Sequence, residues 1–259
     1  MGMTGRLSRD QRFERIIAEL RASSTVRISA LAEDFGVSSE TVRRDIDELS
    51  RRGLVDRTYG GAAVLPIARE PAVNARYLIR VEERARIGAK AAALVPAGEV
   101  LMIDSGSTTT HFARRLAASA ETLTVLTNCL GIAEALGRNP GLRVILCPGE
   151  FNPGEGGVYG AETAAFLRQF HAGTCFIGAS GLTVEGVVDM DPAACSVKRA
   201  MLERSERRVL LVDQSKFGAR SLQLICPLSE LSDVIADAEP QPPLREAMAR
   251  AGVAFHLAE

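Results

Sequence analysis

Two segments of this chain gather groups suited to gripping anions. The first is Asp104-Ser105-Gly106-Ser107-Thr108-Thr109-Thr110, which follows the apolar run Val100 to Ile103 and opens a helical pattern. A chain that leaves a strand through glycine and hydroxyl residues and enters a helix presents free N–H groups and the positive end of the helix dipole. Capping by Ser107 or Thr108 is the plainer alternative, yet one glycine and five hydroxyl residues exceed what a cap requires. The second segment is Ser38-Ser39-Glu40-Thr41-Val42-Arg43-Arg44, where hydroxyls and two arginines stand near a helix start. Arginine forks suit phosphates and the edges of bases. A solvated helix face, its arginines paired with Asp45, Asp47 and Glu48, is the competing reading.

Lysine is scarce. Of 31 basic residues only Lys90, Lys198 and Lys216 are lysines, and a lysine retained among arginines hints that a compact ammonium is wanted there. Lys198, at the start of a helix expected from Val197 to Glu206, and Lys216, in Asp213-Gln214-Ser215-Lys216-Phe217-Gly218, offer point charges to a phosphate. Lys90, on an alanine-rich helix from Arg86 to Val95, reads as a solvated face.

The elements that position the first sixty residues are legible. Ser8 and Gln11 have capping-box spacing, and Phe13, Ile16, Ile17 and Leu20 continue at helical intervals, which predicts a helix from about Arg9 to Arg21. Val26 and Ile28 make a short extended entry, Ser29 caps a second helix through Leu31 and Phe35, and Gly36 ends it in a left-handed conformation. Ser38 or Ser39 caps a third helix with Val42, Ile46 and Leu49 on one stripe, while Thr41, Arg43, Arg44 and Asp45 project elsewhere and Gly53 ends it. Two helices joined by Gly36-Val37-Ser38 form a helix-turn-helix. Leu54-Val55-Asp56-Arg57 and Ala62-Ala63-Val64-Leu65 then pair across Tyr59-Gly60-Gly61 as a wing. The third helix is the one that enters a major groove in this arrangement.

Pro66 to Arg76, with two prolines and no apolar period, reads as a linker. Beyond it, helical patterns alternate with apolar runs at Val100 to Ile103, Leu123 to Leu126, Arg143 to Cys147, Cys175 to Gly178, Val209 to Val212 and Val234 to Ala236. That alternation predicts a mainly parallel α/β sheet, whose ligands sit beyond the carboxyl ends of the strands. Five of those ends are small or polar: the Asp104 segment, Thr127-Asn128, Pro148-Gly149-Glu150, Gly178-Ala179-Ser180-Gly181 and Asp213 to Gly218. Their convergence on one sheet edge favours a ligand site over a set of ordinary turns.

Composition excludes several classes. The 259 residues are 46% hydrophobic and 24% charged with a net charge of −1, which rules out disorder and fibrous repeats and leaves any polyanion surface local. The five cysteines, Cys129, Cys147, Cys175, Cys195 and Cys226, are odd in number and widely spaced. They fit neither a disulfide framework nor a zinc site, and read as reduced, buried thiols. No metal site and no cofactor are expected. No signal peptide or membrane-length apolar run is present, so a cytoplasmic location without membrane partners is expected.

From Ile28 to Leu49, with Phe35-Gly36-Val37-Ser38 and Thr41-Val42-Arg43-Arg44-Asp45-Ile46, followed by Gly53-Leu54 and Tyr59-Gly60-Gly61-Ala62, the chain resembles the DeoR family of bacterial transcriptional regulators. The second part carries the matching effector-domain set: Asp104 to Thr109, Thr127-Asn128, the turn near Gly149, Gly178-x-x-Gly181, Val197-Lys198-Arg199-Ala200-Met201, and Asp213-x-Ser215-Lys216-Phe217-Gly218. Tyr59 replaces a common histidine, Ala194 and Cys195 stand where a glutamate commonly precedes the Val-Lys pair, and Cys147-Pro148-Gly149 replaces a double glycine. The resemblance implies a winged helix-turn-helix over residues 1–65, a linker over 66–76 and, over 77–259, a mainly parallel α/β effector domain resembling ribose-5-phosphate isomerase and CoA transferase folds. It implies a repressor of carbohydrate-metabolism genes that binds operator DNA through Ser38, Ser39, Thr41, Arg43, Arg44, Arg57, Tyr59 and Gly60. A phosphorylated sugar or related metabolite is then the effector, held by Asp104, Ser105, Gly106, Ser107, Thr108, Thr109, Thr127, Asn128, Gly149, Gly178, Gly181, Lys198 and Lys216. Self-association as a homo-oligomer follows from paired half-sites. Two other readings compete: a sugar-phosphate isomerase using Asp104, Glu150 or Asp213, and a winged protein-interaction module. His111, alone on the helix after the anion loop, reads as a packing or surface residue rather than a base.

Overall fold

The computed structural model describes residues 7–23, 25–51, 55–63 and 73–259. The chain divides into two compact units, Met1–Ala75 and Arg76–Glu259.

In the first unit, α1 (Arg9–Ser23), β1 (Thr25–Arg27), α2 (Ile28–Phe35) and α3 (Ser39–Arg51) precede a hairpin of β2 (Asp56–Thr58) and β3 (Gly61–Ala63). The capping box is formed: Gln11 N donates to Ser8 Oγ at 3.2 Å and Ser8 N donates to Gln11 Oε1 at 2.9 Å. Gly36 adopts φ 62°, the left-handed cap that closes α2. Ser38, not Ser39, caps α3, its Oγ accepting from Thr41 N at 3.2 Å. Val42, Ile46 and Leu49 are fully buried beside Phe13, Ile16, Leu31 and Phe35.

Two expectations change here. α2 begins at Ile28 after Arg27, without a side-chain cap, so Ser29 lies inside the helix. Asp45 does not project with its neighbours: it is buried, and Arg12 grips both its oxygens at 2.6 and 3.1 Å. Burial of a carboxylate is tolerated because a planar fork satisfies it. Asp45→Ala is expected to weaken this unit by about 1.5–3 kcal/mol, read as roughly ten- to hundredfold faster amide exchange in α1 and α3; unchanged exchange would show that the pair holds nothing. The expected roles of Gly53, Leu54, Val64, Leu65 and the linker residues 66–72 lie outside the described residues. Val73–Arg76, also read as linker, forms the short helix α4.

The second unit continues with α5 (Val81–Ala92), β4 (Val100–Ile103), α6 (Ser107–Ser119), β5 (Leu123–Thr127), α7 (Leu130–Leu136), β6 (Leu142–Leu146), β7 (Glu150–Asn152), β8 (Gly157–Tyr159), α8 (Ala161–Leu167) and β9 (Ala172–Ile177). Then come β10 (Gly181–Leu182), β11 (Gly186–Asp189), α9 (Pro192–Glu203), β12 (Ser205–Leu211), β13 (Gln223–Pro227), β14 (Asp233–Ala236), α10 (Pro242–Arg250) and β15 (Ala254–Leu257). Seven of the strands form one parallel sheet in the order β15-β14-β12-β9-β4-β5-β6. The apolar runs are continuous because both faces are covered. Met102, Leu126, Cys175 and Ile177 enter one core and Leu101, Ile103, Val125 and Phe176 the other.

The strand order decides where a ligand goes. From β4 the chain builds outward through β5 and β6, then returns to place β9 on the other side of β4 and continues to β12, β14 and β15. The direction reverses between β4 and β9, and open α/β sheets bind ligands beyond the carboxyl ends at such a point. Sequence reasoning missed β15 and two antiparallel additions, β10-β11-β13 and the β7-β8 hairpin. All five cysteines are buried and free, and no described helix is long and apolar enough to cross a membrane.

Candidate functional site

The first unit offers its residues to solvent as a nucleic-acid face requires. Ser38, Ser39, Arg43, Arg44, Arg57, Tyr59 and Gly60 are exposed and Thr41 is half-buried. Arg43 and Arg44 share one partner, Glu40, at 3.0 and 3.3 Å, rather than the Asp45, Asp47 and Glu48 anticipated for a solvated face. Exposed pairs of this kind cost little to break, so both guanidiniums are available. Arg57 pairs with Asp47 at 2.7 Å. Thr58 pairs with Gly61, so Tyr59 and Gly60 form a two-residue turn, with Gly60 at φ 77°. Gly61 is required for a different reason: a Cβ there would strike the Val26 carbonyl of β1.

The second unit builds its site at the β4–β9 reversal. Gly106 precedes α6 without any side-chain cap. Thr110 N reaches Gly106 O at 3.0 Å, and among the described residues no acceptor meets the amides of Ser107, Thr108 and Thr109. Their hydroxyls divide: Thr109 Oγ1 donates to Gly106 O at 3.0 Å, whereas Ser107 and Thr108 have no partner among the described residues. Three free amides and two free hydroxyls at the start of a thirteen-residue helix have the chemistry of an anion cradle.

Asn128 and Thr127 act behind the cradle. Asn128 is fully buried; its Oδ1 accepts from Ser105 N at 3.0 Å and its Nδ2 donates to Val158 O at 3.2 Å. Thr127 Oγ1 donates to Ile103 O at 2.7 Å and accepts from Cys129 N at 3.1 Å. Both side chains fix the loop through these bonds. Gly149 and Gly181 are likewise explained by packing. A Cβ at Gly149, where φ is 148°, would lie 2.7 Å from Tyr159 O, and one at Gly181 would strike Ala219 O. Gly178 faces open space, which leaves room for a ligand beside the cradle.

Lys198 departs from its expected place. α9 starts at Pro192, capped by Asp191, so Lys198 is mid-helix and buried. Its Nζ is ion-paired with Asp189 and lies 3.4 Å from Asp104 Oδ2. Burial alone would lower the lysine, but the two carboxylates hold its pKa above the ordinary value. Burial pushes Asp104 up to about 6 in spite of Lys198, with Asp189 adding to the rise. Neither Asp104 oxygen accepts a hydrogen bond among the described residues. Its partner is the Lys198 ammonium, and this buried pair stands beside the start of α6.

Lys216 belongs to a second cluster, at the ends of β12 and β14. It closes the turn after Asp213, whose carboxylate meets Arg84 at 3.2 Å and Arg80 at 3.6 Å. Burial opposes ionisation of Asp213, but Arg84, a hydrogen bond from Ser215, Lys216 and Arg80 together hold its pKa below the usual value. His111 is pushed down to about 4 by burial and by Arg114 and Arg84, and its Nε2 has no partner among the described residues. It is neutral at pH 7.

Sequence reasoning missed Asp189 and Tyr159. Tyr159 OH lies 2.6 Å from Ser105 Oγ, closing the rear of the loop, and burial followed by Asp104 raises its pKa. Tyrosine is as scarce as lysine here, three of each, so the rarity argument applied to Lys198 would have singled out Tyr159 as well.

Two family descriptions match the chain: a DeoR-like helix-turn-helix domain over residues 12–67 and a DeoR C-terminal sensor domain over 79–238. The chain belongs to the DeoR family of transcriptional regulators. It is 33% identical over 235 residues to the glycerol-3-phosphate regulon repressor of Escherichia coli, covering 90% of this chain and 93% of that one. To the transcriptional repressor AccR of Agrobacterium fabrum it is 30% identical, covering 89% and 90%. Among solved structures, ribose 5-phosphate isomerase A of Neisseria gonorrhoeae aligns at 21% identity over 53% of this chain and 54% of its own, with a TM-score of 0.39. In this DeoR-family regulator every expected DNA-facing residue falls within 12–67, and the cradle, Lys198 and Lys216 fall within 79–238.

Proposed function

We propose that the protein is a cytoplasmic, homo-oligomeric repressor of carbohydrate-metabolism genes. Residues 1–65 bind operator DNA, 66–76 connect, and 77–259 sense a phosphorylated sugar or related metabolite. The observation that carries the effector half is the juxtaposition at the end of β4. The free amides of Ser107, Thr108 and Thr109 suit a phosphate, and the buried Asp104 carboxylate, paired with Lys198, suits a sugar hydroxyl. The name of the glycerol-3-phosphate regulon repressor agrees with that ligand class. Asp104 is read as a binding group rather than a base, because the site is joined to a DNA-binding unit in a family of regulators.

The sensor works only if the effector binds DNA-competent and DNA-free arrangements unequally. A coupling of about 1–3 kcal/mol changes operator affinity by roughly 5- to 150-fold. Fluorescence anisotropy on duplex DNA from the protein's own upstream region, with and without glycerol 3-phosphate, ribose 5-phosphate and inorganic phosphate at fixed salt, tests both halves. Tight binding shifted by a sugar phosphate is expected; binding that no compound shifts would remove the effector assignment. Arg43→Ala and Arg44→Ala are expected to cost about 1–3 kcal/mol each where the arginine reads a base, and to weaken all sequences alike where it holds phosphate. Wild-type affinity in both variants would remove α3 from the groove.

A further inference from the structure

Arg76 and Tyr77 lie between the two matched regions, yet they are tied into the effector unit. Arg76 is ion-paired with Glu155 in the turn between β7 and β8. Tyr77 OH is 3.1 Å from Thr110 Oγ1, and Thr110 Oγ1 donates to Gly106 O at 2.7 Å. A threonine hydroxyl has one proton. Thr110 spends it on Gly106, so Tyr77 is the donor and the two bonds run in series from Tyr77 to the glycine of the cradle. The Arg114 guanidinium sits 5.6 Å from the centre of the Tyr77 ring, holding its plane.

The turn that follows is equally constrained. Arg80, at φ 51°, is the one non-glycine residue of positive φ among the described residues, a conformation that persists only where its surroundings enforce it. Its guanidinium lies 3.6 Å from Asp213 and 3.9 Å from Asp237. Arg84, bound to Asp213 at 3.2 Å, also donates to the Arg76 carbonyl, closing the turn on itself. α5 then packs on α6 at backbone range: a Cβ on Gly88 would lie 2.8 Å from Phe112 N. Residues 76–84 are thereby tied to the cradle helix and to the loops after β12 and β14.

We propose that Tyr77 is a positioning residue of the effector site, through which occupancy of the α6 cradle reaches the chain that leaves the DNA-binding unit. The proposal rests on the effector reading above. An anion accepting from the Ser107, Thr108 and Thr109 amides moves the first turn of α6, and with it the Gly106 carbonyl, Thr110 and Tyr77. The Arg76, Arg80 and Arg84 ion pairs keep residues 76–84 from absorbing that movement locally.

The test uses the full-length chain and Tyr77→Phe, which deletes only the hydroxyl, with a thermal melt to verify folding. Glycerol 3-phosphate, ribose 5-phosphate and inorganic phosphate serve as probes. Hydrogen exchange is followed at 106–112 and at 76–84, and operator affinity by anisotropy. In the wild type, the bound probe is expected to slow exchange in both segments and to shift operator affinity at least fivefold. In Tyr77→Phe the probe is expected to bind within about threefold of wild type and to protect 106–112. Protection at 76–84 is lost and the operator shift falls below about twofold. Thr110→Val, which cuts the same series of bonds from the other end, is expected to lose the operator shift too, with no further loss in the double variant. Wild-type coupling in Tyr77→Phe, or probe protection at 106–112 that never reaches 76–84 in the wild type, overturns the proposal. Absence of protection at 106–112 with every probe defeats the effector reading itself, and this proposal with it.

Discussion

Lys198→Met is expected to cost the second unit about 3–5 kcal/mol, the penalty for removing one partner of a buried ion pair. Methionine conserves the apolar stem and deletes the charge, so packing is nearly preserved while Asp104 and Asp189 face each other without a cation. Asp189 retains bonds from Ser180 Oγ at 3.1 Å and Met190 N at 2.7 Å, whereas Asp104 has no hydrogen bond among the described residues to fall back on. The loss is read from urea unfolding. It is expected to shrink at pH 5, where Asp104, already pushed up to about 6 with Lys198 present, is protonated in the variant. A deficit under about 1 kcal/mol at pH 8 would mean that the lysine is not the counter-charge that holds this crevice.

Asp104→Asn is expected to do the opposite to stability and greater damage to function. The asparagine keeps the shape and removes the desolvated charge, and Asp189 still neutralises Lys198. Because the folded pKa of Asp104 is raised from 3.8 to about 6, its neutral form is favoured in the folded state. The stability it contributes is complete below about pH 4 and is lost as pH rises through 6. The variant mimics the neutral form, so its melting temperature should match wild type at pH 4 and exceed it at pH 7.5. Effector affinity moves the other way: losing a charge-assisted bond to a sugar hydroxyl costs about 1.5–3 kcal/mol, roughly 10- to 150-fold. A phosphate monoester loses its second proton near pH 6, so the diagnostic quantity is the difference between wild type and variant. That difference should open as pH rises through 6. Equal affinity for the sugar phosphate at pH 7.5 would show that Asp104 does not touch the ligand. Stability gained at the expense of binding is what a site that buries a charge for its ligand predicts.

How much of the site was legible follows from the range of each interaction. The hydroxyl-rich cradle is continuous in sequence, and its chemistry depends only on a strand leading into a helix, so it was found from residues 104–110 alone. Thr127 and Asn128 were found too, but their role was not: the two side chains are spent on Ile103, Cys129, Ser105 and Val158, none of which a sequence pairs with them. At Gly149 and Gly181 the sequence motif alone points to a ligand. The structure assigns their missing side chains to close approach of Tyr159 and Ala219. α9 begins five residues before the expected Val197, at Asp191-Pro192, an N-cap followed by proline at the first helical position.

Neighbours along the chain settle the local elements before any fold exists. Ser8 with Gln11 started a helix, Gly36 ended one, Val42, Ile46 and Leu49 chose the buried face of α3, and unbroken apolar runs required a sheet covered on both sides. Each of these is settled within a few residues by hydrogen-bond geometry or by periodicity. Which charges meet is settled by the assembled fold. Asp45 found Arg12, Asp104 and Asp189 found Lys198, and Asp213 found Arg84 and Arg80. A buried charge takes its partner from the order in which strands assemble, and the placement of β9 beside β4 is fixed by burying both faces of the sheet at once, a requirement that no local stretch of this sequence encodes.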